Sequence, residues 1–268
     1  MADIIQSLQN DRIKNLVKLQ KKPIERKEQG LFVIEGRREI SLAIQNKVKP
    51  HSFFVCDDIY SPDIHYPINL DEFTNIPIFK VSSEVYDKIA YRGDTQGIVM
   101  AAHNLQNNIS DISFSKNGFY LVLESIEKPG NLGAVFRTAD AAGVNGIIIC
   151  GNSFDIYNPN AIRASLGCLF SVPFALTDNG TALKVLKNNN YNIFAAHPEG
   201  DKVFYEVDLK KPSAIIMGTE SDGLSTFWKE NADQLVTIPM MGQIDSLNIS
   251  VSAAVIAYEG RRQRLNES

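Results

Sequence analysis

Three stretches of this 268-residue chain gather the side chains with most chemistry to offer. In the first, "ESIEKPGNLGAVFRTADAAG" (124–143), Leu132, Val135, Phe136 and Ala139 recur at i, i+3, i+4 and i+7. That spacing predicts an amphipathic helix with Asn131 placed to cap it. Arg137 falls off the apolar stripe, among the small residues Gly133, Ala134 and Ala141. A guanidinium so placed near a strand end suits two-pronged binding of a phosphate or carboxylate, because its planar fork matches a pair of oxygens. The plain alternative is a surface salt bridge, for instance with Asp140. In the second stretch, "AIIMGTESDGLS" (214–225), an apolar run meets Gly218, Thr219 and Glu220 before an Asp222-Gly223 turn. Glycine lets backbone approach a ligand closely or take positive φ; the plain alternative is a tight turn. The third, "IPMMGQIDSLNISVSAAVIAYE" (238–259), sets Asp245, Ser246 and Asn248 directly before an apolar helix. Ser246 or Asn248 can cap that helix. The remaining hydroxyl, amide and backbone groups exceed what capping requires and mark a candidate binding site.

The elements that must hold these stretches are legible as short apolar runs: "FYLVLESI", "VNGIIIC", "NIFAAH", "SAIIMG" and "QLVTIPM". Strands without polar alternation belong to a sheet covered on both faces, hence parallel α/β. In such sheets ligands bind beyond the carboxyl ends of the strands, where the suspect loops fall. The N-terminal hundred residues read differently. Ile4 to Leu19 has helical spacing and is limited by Pro23. "LFVIEG", "SFFVCDD", "IPIFKV" and "QGIVMAAH" then alternate with helical segments, the pattern of a small α/β domain. Residues 106–117 turn to Asn, Ser and Asp with scattered Ile and Phe and read as a linker. The expected organisation is therefore 1–105, a linker at 106–117, and a second domain at 118–268.

Composition narrows the function classes. With 44% hydrophobic and 22% charged residues the chain can bury a core. A net charge of −4 lacks the overall basic signature of many small nucleic-acid-binding domains. Charge is uneven, however: nine Lys and Arg lie between Arg12 and Arg38, interleaved with Asp11, Glu25, Glu28, Glu35 and Glu39. This is either a solvated helix face or an RNA-facing arm. Cys56, Cys150 and Cys168 form no CxxC pair and have no histidine at ligand spacing, which argues against a disulfide framework and a metal site. With no apolar leader and no run near ~18 apolar residues, a membrane span is not expected and a cytoplasmic location is. The sequence has GNLG rather than GxGxxG and no GK[ST], which disfavours a dinucleotide enzyme.

Taken in order, "NLGAVFRTADAAGV", "IIMGTESDGLS" and "IPMMGQIDSLNISVSAAVIAYE" resemble the three signature motifs of the SpoU-type (TrmH-like) RNA ribose 2′-O-methyltransferases, in the SPOUT superfamily. "RASLG" (163–167) resembles the segment between the first two motifs. The resemblance covers about residues 119 to 262. "FVIEG" and "DTQGIVM" are similar, more weakly, to the L30e/L7Ae-like substrate-binding domain that many members carry. The resemblance implies a parallel sheet with a C-terminal trefoil knot, S-adenosyl-L-methionine as cofactor, a homodimer built through the knotted region, and RNA, ribosomal RNA above all, as substrate. It places Gly218, Ile238 and Leu247 against the cofactor through backbone, with Glu220 and Met240 nearby. Asn131, Arg137, Glu220, Ser246 and Asn248 take the family's polar active-site positions, Arg137 being the proposed catalytic residue. Met241, Gln243, Ser252 and Ala254 depart from common family choices without touching those positions.

Methyl transfer to a ribose hydroxyl requires the attacking oxygen to lose a proton, and a guanidinium, with a pKa above about 12, is a poor base near neutral pH. Arg137, held against an RNA phosphate, is instead expected to stabilise the developing alkoxide while the proton leaves through a phosphate oxygen or water. Two alternatives stay open from sequence: a catalytically silent RNA-binding assembly factor, and a tRNA-directed 2′-O-methyltransferase.

Overall fold

A computed structural model describes residues 4–61, 63–90, 96–151, 154–219 and 223–265. The chain divides into two compact units, one formed by 1–106 with 155–171, the other by 107–154 with 172–268.

The first unit opens with α1 (Asp11–Lys21) and α2 (Pro23–Gln29). The helix expected from Ile4 begins only at Asp11, because Asn10 caps it by accepting from the Arg12 amide at 2.9 Å. Ile5 instead makes an isolated parallel bridge with Val81. Pro23 does more than stop α1: its fixed φ starts α2, where no amide partner is needed. Next come β1 (Leu31–Glu35), α3 (Arg37–Gln45), β2 (Pro50–Val55), β3 (Ile78–Lys80), α4 (Ser83–Ile89) and β4 (Ile98–His103). The sheet runs β1-β4-β2-β3, antiparallel except for the β2–β3 pair. Ile13, Leu16 and Leu19 of α1 bury against Val33, Phe54 and Val99, with Val85 and Ile89 of α4 completing the core.

The second unit holds the suspect loops. It begins with the stretch expected to be a linker, which lies on the unit's surface with a short 3-10 turn, Ile109–Asp111. Phe114 there packs 5.0 Å from the Tyr120 ring and 5.9 Å from the Tyr191 ring. β5 (Phe119–Glu124), α5 (Pro129–Ala142) and β6 (Gly146–Cys150) follow. The chain then leaves for α6 (Pro159–Ala164) and α7 (Cys168–Ser171), which cluster with the first unit although the sequence places them inside 118–268. Asp155 pairs there with the buried Arg26, and Tyr157 stacks on Phe32 at 4.2 Å. Back in the second unit come β7 (Phe174–Thr177), α8 (Asn179–Asn188), β8 (Asn192–Ala196), β9 (Lys202–Val203), β10 (Ser213–Met217), α9 (Thr226–Asn231), β11 (Gln234–Thr237) and α10 (Ile249–Leu265).

These seven strands form one sheet in the order β7-β6-β5-β10-β8-β11-β9, every pair parallel. The central strands are buried along their whole length, as their unbroken apolar runs require. α10 packs along α5, and its later turns also pass close to the start of β5, where Gly260 is needed: a Cβ there would lie 2.9 Å from the Phe119 ring. Because the strands are parallel, the loops after β5, β8, β10 and β11 all emerge at one edge, and these four strands are consecutive in the sheet.

Candidate active site

At that edge lies a cleft of about 290 Å³. Its walls come from the residues just beyond three neighbouring strands: His197 and Pro198 after β8, Gly218 and Thr219 after β10, Ile238 and Met240 after β11. Asp245, Ser246 and Leu247 close it from the segment before α10. Met217, Val236, Met240, Leu247 and Ile249 supply apolar surface, while Thr219, Asp245, Ser246 and Ser252 supply polar groups.

Gly218 is required by local geometry. The loop folds back so that Thr219 and Gly223 exchange backbone hydrogen bonds of 3.0 and 3.2 Å, with Gly223 at φ +67°. A Cβ on residue 218 would stand 2.1 Å from the Gly223 carbonyl oxygen and 2.4 Å from the Leu224 nitrogen. Backbone thus lies on backbone, leaving the other side of Gly218 and Thr219 to face the cleft. Glu220 and Asp222, expected in this loop, lie outside the described residues.

The polar positions separate into groups. Ser246 lines the cleft, its hydroxyl donating to Asp245 at 3.3 Å. Asn248 is the N-cap of α10: its carbonyl accepts from the Val251 and Ser252 amides, both at 2.9 Å, and its side-chain oxygen from the Ser250 amide at 2.9 Å and hydroxyl at 2.7 Å. Of the two candidate caps the structure selects Asn248. Its amide nitrogen donates to Asn131 Oδ1 at 3.3 Å, joining the first and third stretches. Asn131 is not itself a cap. α5 starts two residues before it, with Lys128 as N-cap and Pro129 in the first turn, because proline suits a position whose amide has no helical partner. Arg137 lies six residues further, about 9 Å along the helix axis at 1.5 Å per residue. It is exposed and does not line the cleft. Among the described residues no hydrogen bond or ion pair holds it, so the salt bridge with Asp140 does not form.

His197 is a further cleft residue, although in the sequence it is only the residue at the end of an apolar run. The Glu199 amide donates to its Nδ1 at 3.1 Å, leaving Nε2 to carry the proton of the neutral ring. Burial, then the Lys229 charge, hold its pKa below the usual histidine value, against the opposing charge of Glu199. Its only sequence signal was its place directly after an apolar run.

The family of SpoU rRNA methylases matches residues 118–258, more than half of the chain, and the whole cleft falls inside that span. The chain belongs to the SpoU rRNA methylase family. Residues 10–100 match the MRM3-like substrate binding domain. Among similar proteins, an uncharacterized tRNA/rRNA methyltransferase of Synechocystis sp. is 31% identical over 264 residues, covering 97% of this chain and 94% of that one. The 23S rRNA (guanosine(2553)-2′-O)-methyltransferase of Bacillus subtilis is 25% identical, over 96% and 98% of the two chains. A crystal structure of an RNA 2′-O ribose methyltransferase superposes with a TM-score of 0.83 at 36% identity, covering 98% of this chain and all of that one. An AdoMet-bound rRNA methyltransferase from Sinorhizobium meliloti superposes at 0.86 with 26% identity, over 97% and 98%. This SpoU chain therefore has relatives that match it through both of its units.

Proposed function

We propose that this SpoU enzyme uses S-adenosyl-L-methionine to methylate the ribose 2′-hydroxyl of one nucleotide in ribosomal RNA. The observation that carries the reading is the cleft itself: Gly218, Ile238, Met240 and Leu247, drawn from two of the three motifs, line a single cavity at the carboxyl edge of a parallel sheet. The residues present suit the cofactor. The volume is at the lower end for small-ligand sites, the apolar walls match an adenine ring and a thioether chain, and the backbone of 218–219 is bared by the glycine contact. Bound there, the cofactor supplies an electrophilic methyl group on a sulfonium.

The chain's own residues then have distinct tasks. Leu247 and Ile249 exclude water from one wall of the cleft. The Asn131–Asn248 hydrogen bond fixes the start of α5 against the start of α10, setting the first motif beside the loop that carries Ser246. Arg137, exposed and uncommitted among the described residues, is available to grip an RNA phosphate and offset charge on the attacking oxygen. Glu220 takes the remaining polar position of the family set. The unit matching the substrate binding domain contributes RNA contacts; the ribose hydroxyl is the feature that distinguishes RNA from DNA.

We assign a homodimer built on α10. Val251, Tyr258 and Leu265 recur every seven residues along it with 46%, 52% and 52% of their surface exposed, an apolar stripe that a second copy would cover. The segment 238–248 is assigned to the trefoil knot of this superfamily, and the enzyme to the cytoplasm, where its ribosomal substrate is made. Among the described residues no helix is long and apolar enough to cross a membrane, and no cluster could hold a metal ion. The test is methyl transfer from labelled S-adenosyl-L-methionine to unmodified ribosomal RNA, with Arg137→Ala alongside. Incorporation that the substitution abolishes supports the reading. Tight cofactor binding without incorporation into any RNA would replace it with a silent binding factor.

A further inference from the structure

A buried carboxylate on the strand beside β10 has no part in the chemistry above. Glu124 ends β5, the strand next to β10, and is 5% exposed. It accepts three hydrogen bonds: from Asn179 Nδ2 at 2.6 Å, from the Ser225 amide at 2.8 Å and from the Ser225 hydroxyl at 2.6 Å. Ser225 is the N-cap of α9 and follows directly on Gly223 and Leu224. Ser225's own side chain makes no capping bond, since its hydroxyl is turned to Glu124. The next residue after Glu124, Ser125, sits at φ +52° and starts the turn into α5, which carries Asn131 and Arg137.

We propose that Glu124 is a positioning residue that holds Ser225, and through it the Thr219–Gly223 backbone pair of the cleft wall, against the end of β5, by a hydrogen-bond chain whose polarity only a carboxylate can complete. The polarity is set at the far end. The indole Nε1 of Trp228, a side chain with no exposed surface, donates to Asn179 Oδ1 at 3.0 Å. An indole N–H can only donate, so Asn179 must turn its oxygen to Trp228 and its NH2 to Glu124. The Ser225 amide also can only donate. Glu124 therefore faces two fixed donors, one for each of its oxygens, and the hydroxyl takes what remains. Glutamine has the same shape but must direct an NH2 group at one of those donors, whichever way its amide is turned. The loop would then lose its anchor at Ser225 or force Asn179 away from Trp228.

Combining Glu124→Gln with Asn179→Asp moves the charge one step along the hydrogen-bond chain and restores a full set. The new carboxylate at position 179 accepts from Trp228 and from the NH2 of the amide now at position 124, whose oxygen accepts from the Ser225 amide. Both changes are isosteric. The inference rests on the cofactor reading of the cleft, so two readouts are taken on the whole chain. One is the dissociation constant for S-adenosyl-L-methionine. The other is hydrogen exchange at the Thr219 and Gly223 amides, which needs no ligand. Glu124→Gln is expected to weaken cofactor binding by about tenfold or more, about 1.4 kcal/mol, and to speed exchange in the loop. The paired substitution is expected to bring both back to within about threefold of wild type. Wild-type binding and exchange in Glu124→Gln would overturn the inference, as would a pair no better than the single change. Should Glu124→Gln fail to fold, the pair alone decides: recovery of fold and loop protection supports the assignment and their continued loss refutes it. If the wild type binds no cofactor, the cofactor reading fails while the exchange data still judge Glu124.

Discussion

Gly218→Ala is the sharpest test of the cleft, because the structure states what the added methyl would strike. Its Cβ would lie 2.1 Å from the Gly223 oxygen, 2.2 Å from the Gly223 carbon and 2.4 Å from the Leu224 nitrogen. All three are backbone atoms, so no side-chain rotation relieves the contact, and the loop must move by an ångström or more. Overpacking of this kind costs about 1–3 kcal/mol. Part of that is relieved by breaking the Thr219–Gly223 pair, a solvent-edge interaction, so the sheet should survive while the cleft wall does not. At 1.4 kcal/mol per decade, the affinity for S-adenosyl-L-methionine should fall by about 5- to 140-fold. Isothermal titration reads this directly, with thermal unfolding measured in parallel. Gly242→Ala is the matched control: it lies in the third stretch, and nothing stands within 4 Å of the added methyl. Binding by Gly218→Ala within about twofold of wild type, with the fold intact, would mean that the 218–219 backbone does not form the cofactor wall.

Arg137→Ala should reduce methyl transfer to ribosomal RNA by about two orders of magnitude, the scale for removing a donor that stabilises charge in the transition state, while leaving cofactor affinity unchanged because Arg137 is outside the cleft. Arg137→Lys should recover little if two-pronged phosphate binding is what counts; single-turnover rates decide. Tyr258→Asp or Val251→Asp should shift the species seen by light scattering from dimer to monomer, and an unchanged mass would remove α10 as the interface. Stability should fall as pH rises above about 9. Burial, with Glu124 and Asp178 nearby, pushes the Cys150 thiol from its ordinary 9.0 up to about 12, and burial likewise raises the Tyr120 and Tyr191 phenols. The unfolded chain releases these protons first, so folding stability is full below the ordinary values and is lost on the way to the raised ones. Urea denaturation between pH 8 and 11 should show the decline, with a smaller slope in Cys150→Ala.

The parallel sheet was legible because its central strands are apolar runs too continuous for any half-exposed element. Phe174–Thr177 and Lys202–Val203 were not, since four and two residues leave no period to read. The loops of the cleft were visible through glycine and clustered polar residues, and the family motifs fixed their order. What escaped was whatever depends on contacts across the fold. Asn131 looked like a cap until Pro129 claimed the first turn. Ile4 and Ile5 had helical spacing, yet Ile5 bridges to Val81, 76 positions away. His197 and Glu124 read as ordinary strand ends; their roles come from neighbours brought by β11 and α9, which no local pattern announces.

The pairing of Arg26 with Asp155 sets a schedule for the growing chain. Arg26 is 2% exposed, and its guanidinium donates to the Leu19 and Gln20 carbonyls as well as to the Asp155 carboxylate. Until residues 155–157 have been synthesised, Arg26 lacks the carboxylate that pairs with it and Phe32 the Tyr157 ring that stacks on it. The N-terminal unit is thus first in sequence but has all its residues only after β5, α5 and β6 of the other unit, which lie between its two pieces in the chain, have been made.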